Sequence, residues 1–392
     1  MFGERLRIAR MRVGLSLRDL EVKIDNLVSA QAIGKYERGE MMPSSRVLMA
    51  LADALAVSER YLVGQSDIRL EGVEFRKKKI ANKREEAQVE TAVLDLLERY
   101  LEVEQHLQVA SLEWNKPREG PQPVSSLGDA ELAAVKLREH WNLGVNPISV
   151  PGLAEFLEEQ GVKIIALDLP THFSGLTCWV RRRDSEAVPV VVINSLHTGE
   201  RQRFTLSHEL GHLFMEAKPE IGDEERAADR FAGAFLMPAE TVRAEIGNHR
   251  KSISLGELFA LKALFGVSVQ AIAYRLKDLA ITSPGLHREL YKSFARAGWL
   301  KPPYPEPSAL PKEEPRRFRR LCFRALAEDT ISEAKAAELL GMSVRDLNRA
   351  MDQPPQDAAD ARARLRHLRP CGFGAWIVPT SCFCTAVRFS SA

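Results

Sequence analysis

The sequence predicts a mainly α protein of the α+β class. Three observations carry this. Apolar residues recur at helical spacing through most of the 392 residues, between serine or aspartate caps and glycine stops. Only three short runs rich in β-branched residues read as strands, all between residues 162 and 194. The run Arg201 to Phe214 carries H-E-x-x-H, a spacing that a helix turns into one face. The expected architecture is an all-α domain (1–66), a long connector helix with its linker (67–126), a helical domain with a small three-stranded sheet (127–300), a small basic helical module (301–370) and a tail (371–392).

Composition bounds the class. Hydrophobic content of 45% and charged content of 28% are those of a globular chain able to bury a sizeable core. The net charge of +2 averages over local basic clusters and says little about partners. No apolar run approaches the length of a membrane helix, so no membrane partner is expected. The charged, amphipathic start Met1-Phe-Gly-Glu-Arg-Leu-Arg is not a signal peptide. The five cysteines are an odd count and scattered, at 178, 322, 371, 382 and 384. A disulfide framework is therefore not expected, and the cytoplasm is the natural compartment.

Residues 1–66 read as five short helices. Leu6, Ile8, Ala9 and Val13 mark the first, ending near Gly14. Ser16 and Asp19 have the form of a capping box and open the second. Ser29 can cap the third, Ala30 to Arg38, which Gly39 ends. Pro43 and Ser44 start a fourth, with Val47, Leu51 and Leu55 inward, and Ser58 caps a fifth with Tyr61 and Leu62.

This module resembles the Xre/Cro-type helix-turn-helix family. The matching residues are Gly14-Leu-Ser-Leu-Arg-Asp-Leu20, Val28-Ser-Ala-Gln-Ala-Ile33, Tyr36-Glu-Arg-Gly39 and Pro43-Ser-Ser with Leu48, Leu51, Ala52, Leu55 and Val57. The resemblance implies double-stranded DNA as a partner, with the third helix in the major groove. Its DNA-facing set would be Arg18, Ser29, Gln31, Lys35 and Arg38. Gln31 is the best base reader, since a carboxamide pairs bidentately with adenine. Lys35 suits guanine or phosphate, and Arg18 and Arg38 suit phosphate. Gly34 weakens the middle of that helix by about 1 kcal/mol relative to alanine. Proteins of this type commonly work as homodimers on two half-sites.

In the connector, a basic run from Arg76 to Lys79 precedes Val89, Val93, Leu94, Leu97, Tyr100, Leu101 and Leu107 at helical spacing. One long amphipathic helix, roughly Arg76 to Leu112, is expected. Its stripe needs a partner, either the following domain or a second chain. Asn115 to Pro123 is the breaker segment before that domain.

Helices are expected over Leu127–Trp141 and Leu153–Gln160, and strands over Val162–Leu167, Leu176–Val180 and Val188–Asn194. An edge of that sheet could hold an extended peptide. The metal helix follows, from about Gly199 to Met215. His208 and His212 lie one above the other and can grip one ion, with Glu209 near any water on it. Gly211 is read as a point of close helix approach. Asp223 can cap the next helix, Glu224 to Leu236, which a hairpin could fold back onto the metal. Glu225 is then the candidate third ligand, with Glu224 the fallback, and Asp229 can hold the far nitrogen of a ligand histidine.

Taken together these residues resemble the ImmA/IrrE family of zinc peptidases. The matching stretches are Val191-Val-Ile-Asn194, Arg203-Phe-Thr-Leu-Ser-His-Glu-Leu-Gly-His212, Glu225-Arg-Ala-Ala-Asp-Arg-Phe-Ala232, Phe235-Leu-Met-Pro238 and Phe265-Gly-Val-Ser268. The resemblance implies a gluzincin-like helical domain, a Zn2+ cofactor, Glu209 as catalytic base, and a helix-turn-helix repressor as protein substrate, whose cleavage derepresses stress-response or mobile-element genes. His249, Arg201 and Arg203 are alternative donors for an oxyanion, and the sequence does not choose among them.

Beyond it, the proline-rich stretches 301–307 and 311–315 read as a linker. Phe318, Leu321, Phe323 and Leu326 mark a helix with a basic face, and Ile331 to Leu347 has the rhythm of a second helix-turn-helix. Cys371, Cys382 and Cys384 lack a fourth ligand and make a weak metal site. Two alternatives to the regulator-peptidase stand: a transcription factor using the peptidase-like domain as a sensor, and the antitoxin of a toxin–antitoxin pair. A pure sensor has no need of a general base, so the intact Glu209 favours the enzyme.

Overall fold

The computed structural model describes residues 2–55, 57, 59–63, 68–75, 83–118, 120–182, 186–301 and 304–352. Ser58 as a cap, the basic run from Arg76, and the tail with Cys371, Cys382 and Cys384 lie outside them. Two compact units divide the chain, residues 1–332 and 333–392. The fold is mainly α with small sheets.

In the first unit, α1 (Phe2–Arg12), α2 (Leu17–Lys23), α3 (Ala30–Glu37), α4 (Ser45–Leu55) and α5 (Glu59–Val63) enclose Leu6, Leu20, Ile33, Leu51, Leu55 and Leu62. The local chemistry explains the bounds. Ser16 Oγ accepts from Asp19 N at 3.1 Å and the Asp19 carboxylate accepts from Ser16 N at 2.8 Å, a closed capping box. Between α2 and α3 the turn uses Asp25 and Asn26 in the left-handed region, which short polar side chains tolerate.

The connector contains a strand, β1 (Ile68–Phe75), and then α6 (Lys83–His106). At its C-terminal end α6 stops at His106, short of the expected Leu112, while the expected start at residues 76–82 lies outside the described residues. Its apolar stripe is consumed inside the chain. Val89, Val93, Leu97 and Leu101 pack on one face of the central sheet, while α1 lies on α6 nearby. Arg5 donates to the Tyr61 carbonyl and ion-pairs with Glu98, tying the N-terminal helices to α6.

Next come β2 (Gln122–Val124), α7 (Leu127–His140), α8 (Leu153–Glu159), β3 (Lys163–Leu167), β4 (Gly175–Arg182) and β5 (Val188–Asn194), then α9 (Gly199–Phe214), β6 (Met215–Ala217) and α10 (Glu224–Leu236). The sheet order is β1-β4-β5-β3, with β3 and β5 parallel and β4 antiparallel to both its neighbours. The three expected strands are present and β1 joins them as a fourth. Side-chain alternation divides the sheet between two partners. Val190, Val192, Leu176, Cys178 and Val180 face α6, whereas Val191 and Ile193 join the core around α9 and α10.

α11 (Ala239–Ile246), α12 (Leu255–Phe265), α13 (Val269–Asp278) and α14 (Pro284–Arg296) complete that core through Leu258, Phe265, Leu276 and Phe294. The proline-rich stretch read as a linker is a strap. Glu313 is buried on it, and α15 (Arg317–Ala327) then returns to α6, where Phe318 stacks on Tyr100 at 5.2 Å. In the second unit, α16 (Glu333–Leu340) and α17 (Val344–Asp352) pair across a turn at Gly341, φ 67°, with Leu339 and Leu347 buried. No single helix among the described residues is long and apolar enough to cross a membrane.

Candidate metal centre and nucleic-acid interface

α9 and α10 form the hairpin that builds the centre. α9 lies against both the sheet and α10, so it is buried along most of its length. Gly211 explains how closely α10 approaches, since a Cβ there would lie 3.1 Å from the Phe231 ring. Phe231 fills that gap, fully buried beside Phe214 and stacked on Phe235 at 5.9 Å. Burial of such a ring contributes about 1.5–3 kcal/mol. Asp223 starts α10 by accepting from Arg226 N at 3.2 Å. The parallel pairing of β6 with β2 holds the connection between the two helices.

The hairpin gathers His208, His212 and Glu225 so that one donor atom from each lies within 4.8 Å of the others. His208 Nε2 and His212 Nε2 face each other at 3.0 Å. Glu225 stands 3.7 Å from the first and 3.6 Å from the second. Glu224 instead reaches Nδ1 of His212, at 3.7 Å, on the other edge of that ring. Asp229 Oδ1 lies 2.6 Å from His208 Nδ1. A carboxylate there accepts a hydrogen bond from Nδ1–H, which leaves Nε2 with its lone pair free for a metal. With the His212 ring in the same tautomer, both Nε2 lone pairs point at one spot where a cation can stand. Zinc–nitrogen bonds of about 2.0–2.1 Å span that gap, and a carboxylate completes the usual donor set. The residues therefore fit a zinc ion. His208 is buried and His212 half-buried, while the Glu225 and Asp229 side chains are 38% and 57% exposed, so the donor set opens to solvent on the α10 side.

Glu209 lies on the sheet side of this cluster, buried. Thr177 Oγ1 of β4 donates to its carboxylate at 2.8 Å. Thr177 was not legible as a functional residue. A lone threonine in a strand is common, and only the side of β4 that faces α9 gives it meaning. Gly175 is required beside it, since a Cβ there would meet Thr205 at 2.5 Å.

The three oxyanion alternatives fall in different places. Arg203 is fully buried and committed to the Ser149 and Ile148 carbonyls and to Glu313, at 2.8, 3.0 and 2.6 Å. Arg201 donates to Ser174 Oγ at 2.9 Å and sits 4.7 Å from the Tyr304 ring. His249 is exposed. Cys178 and Cys322 are buried thiols pushed up to about 12 by burial, which removes them as thiolate ligands.

A separate face carries the expected DNA residues. Arg18, Gln31, Lys35 and Arg38 line one open groove with Leu17, Ala30 and Gly34. All four polar side chains are exposed, as is Ser29. Ser29 caps α3, accepting from Ala32 N at 3.3 Å, so its hydroxyl already has a partner. Arg38 is bidentate to Glu40, at 2.5 and 3.2 Å, and Glu40 is held below its usual range by that bond. An acidic group thus stands beside one of the proposed phosphate contacts.

An exposed reading helix on an all-α module, joined to an H-E-x-x-H hairpin over a small sheet, defines a DNA-binding module fused to a metallopeptidase-like domain. Comparison with protein families agrees. Residues 6–62 match the helix-turn-helix family model, and residues 157–277 match that of the IrrE N-terminal-like domain. The chain thus joins an Xre-type helix-turn-helix domain to an ImmA/IrrE-like domain. No curated protein matches the chain.

Proposed function

We propose that this chain is a DNA-binding regulator whose ImmA/IrrE-like domain is a zinc-dependent peptidase acting on a helix-turn-helix repressor, a neighbouring one or its own. One observation carries the reading. His208, His212 and Glu225 converge while Glu209 stays outside that donor set, oriented by Thr177. A purely structural metal would not call for such a base.

The proposed roles follow from the chemistry. His208, His212 and Glu225 hold the metal, and Asp229 orients His208. Bound there, zinc supplies Lewis acidity towards a carbonyl and the ability to acidify water. Glu209 takes the proton from the attacking water and later hands it to the leaving amine. Thr177 keeps the carboxylate pointing at that water. On the DNA side, Gln31 reads a base edge while Arg18, Lys35 and Arg38 meet phosphate or guanine. With the α6 stripe packed within the chain, the case for a homodimer is the pairing of two DNA half-sites.

The test incubates zinc-loaded protein, beside Glu209→Gln, with itself and with a repressor encoded next to it. Fragments are mapped by mass spectrometry and zinc is measured in both samples. Equal zinc with fragments from the unmodified protein alone is the expected result. No fragments at equal zinc, with DNA retention intact, would leave a sensor in place of an enzyme.

A further inference from the structure

We propose that the edge of β4 beside Glu209 is the seat for an extended peptide and that the chain's own strand β1 occupies it. The inference deepens the peptidase reading and rests on it. β4 is the strand nearest the base. Thr177 bonds the Glu209 carboxylate, and a Cβ on Gly175 would lie 3.4 Å from Glu209 Oε1. A peptide must lie extended to present one amide bond to that carboxylate, and a strand edge supplies main-chain partners for such a peptide whatever its sequence. One edge of β4 is taken by β5. The other is taken by β1, antiparallel from Ile68 opposite Arg182 to Phe75 opposite Leu176. Glu74 stands opposite Thr177 itself, so β1 ends beside the base.

β1 has the marks of a removable strand. It is the outermost strand of its sheet, and its register with β4 shifts between Glu71 and Glu74. Such an irregularity leaves residues unpaired and weakens the ladder midway. Its two flanks are anchored differently. α5 before it belongs to the DNA-reading module, whereas α6 after it is packed on the back of the sheet. The packing of α1 on α6 and the Arg5–Glu98 pair hold that module down, so its release from α6 would peel β1 away while α6 stays on the sheet. The resident strand blocks the seat by competition, and whatever moves the N-terminal module opens it.

The probe is a fluorescein-labelled octapeptide with the sequence of Ile68 to Phe75. It is titrated into full-length, zinc-loaded Glu209→Gln protein, with and without Glu74→Pro and Phe75→Pro in the same chain. Two adjacent prolines remove a ladder amide whichever of the two faces β4. A tethered segment competes at an effective concentration on the order of mM, so the proline variant should bind the octapeptide about tenfold tighter or more. Hydrogen exchange at Leu176 to Val180 should speed up in that variant and slow again when peptide is added. In the unmodified chain, excess octapeptide should speed exchange at Ile68 to Phe75, a readout that needs no variant. With Glu209 restored, the proline variant should also cleave a pool of quenched-fluorescence peptides faster. Faster β4 exchange without tighter octapeptide binding would overturn the inference. Tighter binding with no cleavage in any sample would uphold the seat and remove the peptidase reading.

Discussion

The metal centre and the DNA face are built on opposite plans. At the metal centre the chemistry-bearing side chains are each held by a partner side chain. His208 is fixed by Asp229, Glu209 by Thr177, and α9 by the Phe231 contact at Gly211. On α3 the corresponding side chains are exposed, and only the helix beneath them is fixed, by Ser29 and the buried Ile33 and Tyr36. Preorganisation of the first kind makes function all-or-none in single residues. Exposure of the second kind makes it graded and salt-dependent.

Substitutions can break or sharpen this contrast. His212→Ala removes a donor itself, and zinc affinity is expected to fall by more than the 10–100-fold that an outer partner is worth, read by competition with a chelator. Glu313→Ala strips the partner from buried Arg203 and the acceptor from Gly152 N and Ala154 N at the start of α8. Removing one member of such a pair costs about 3–5 kcal/mol, read as a lowered unfolding midpoint. Unchanged stability there would show that α9 does not depend on the strap.

A pH effect comes next. Burial pushes the Glu158 carboxyl up to about 7, against the N–H donors of Arg316 and Arg317 that favour its ionised form. The folded state then holds a proton that the unfolded state has released. Stability from this group is present below the ordinary carboxylate range and declines as pH rises towards 7, by at most about 1.4 kcal/mol per pH unit. Glu158→Gln should flatten that decline in melts between pH 5 and 7. Asp229→Asn should weaken zinc by about 10–100-fold and leave DNA binding untouched. The smallest effects belong to the exposed face. Arg18→Ala should lower affinity alike for all sequences and reduce the salt slope by about 1, whereas Gln31→Ala should cost about 1–3 kcal/mol at one base position only.

The same contrast explains what the sequence made legible. Ser16 with Asp19, Ser29 and Asp223 announce helix starts through contacts three residues away, and the structure places those helices where the caps indicate. H-E-x-x-H is equally local, and a short hairpin suffices to bring Glu225 and Asp229 to it. β1 is hard to read because Gly72 breaks its alternation in two: Ile68 and Leu70 alternate with charges before it, Val73 and Phe75 flank Glu74 after it, and neither run is long enough to count. Its strand state comes from β4, far along the chain. Glu313 escaped because Pro311 and Pro315 around it read as a breaker, while its partner Arg203 is 110 positions away. Long-range pairing leaves no period to count.

That separation has a consequence for how the protein comes off the ribosome. Arg203 emerges 110 residues before Glu313. At synthesis rates of about 5–20 residues per second, the metal helix waits about 5–20 s for the strap that neutralises its buried arginine. The helix-turn-helix module precedes both and closes on its own core meanwhile. The helix-turn-helix core is thus expected to be complete before the metal helix is locked in place, an order of assembly that separates the two modules in time as well as in sequence.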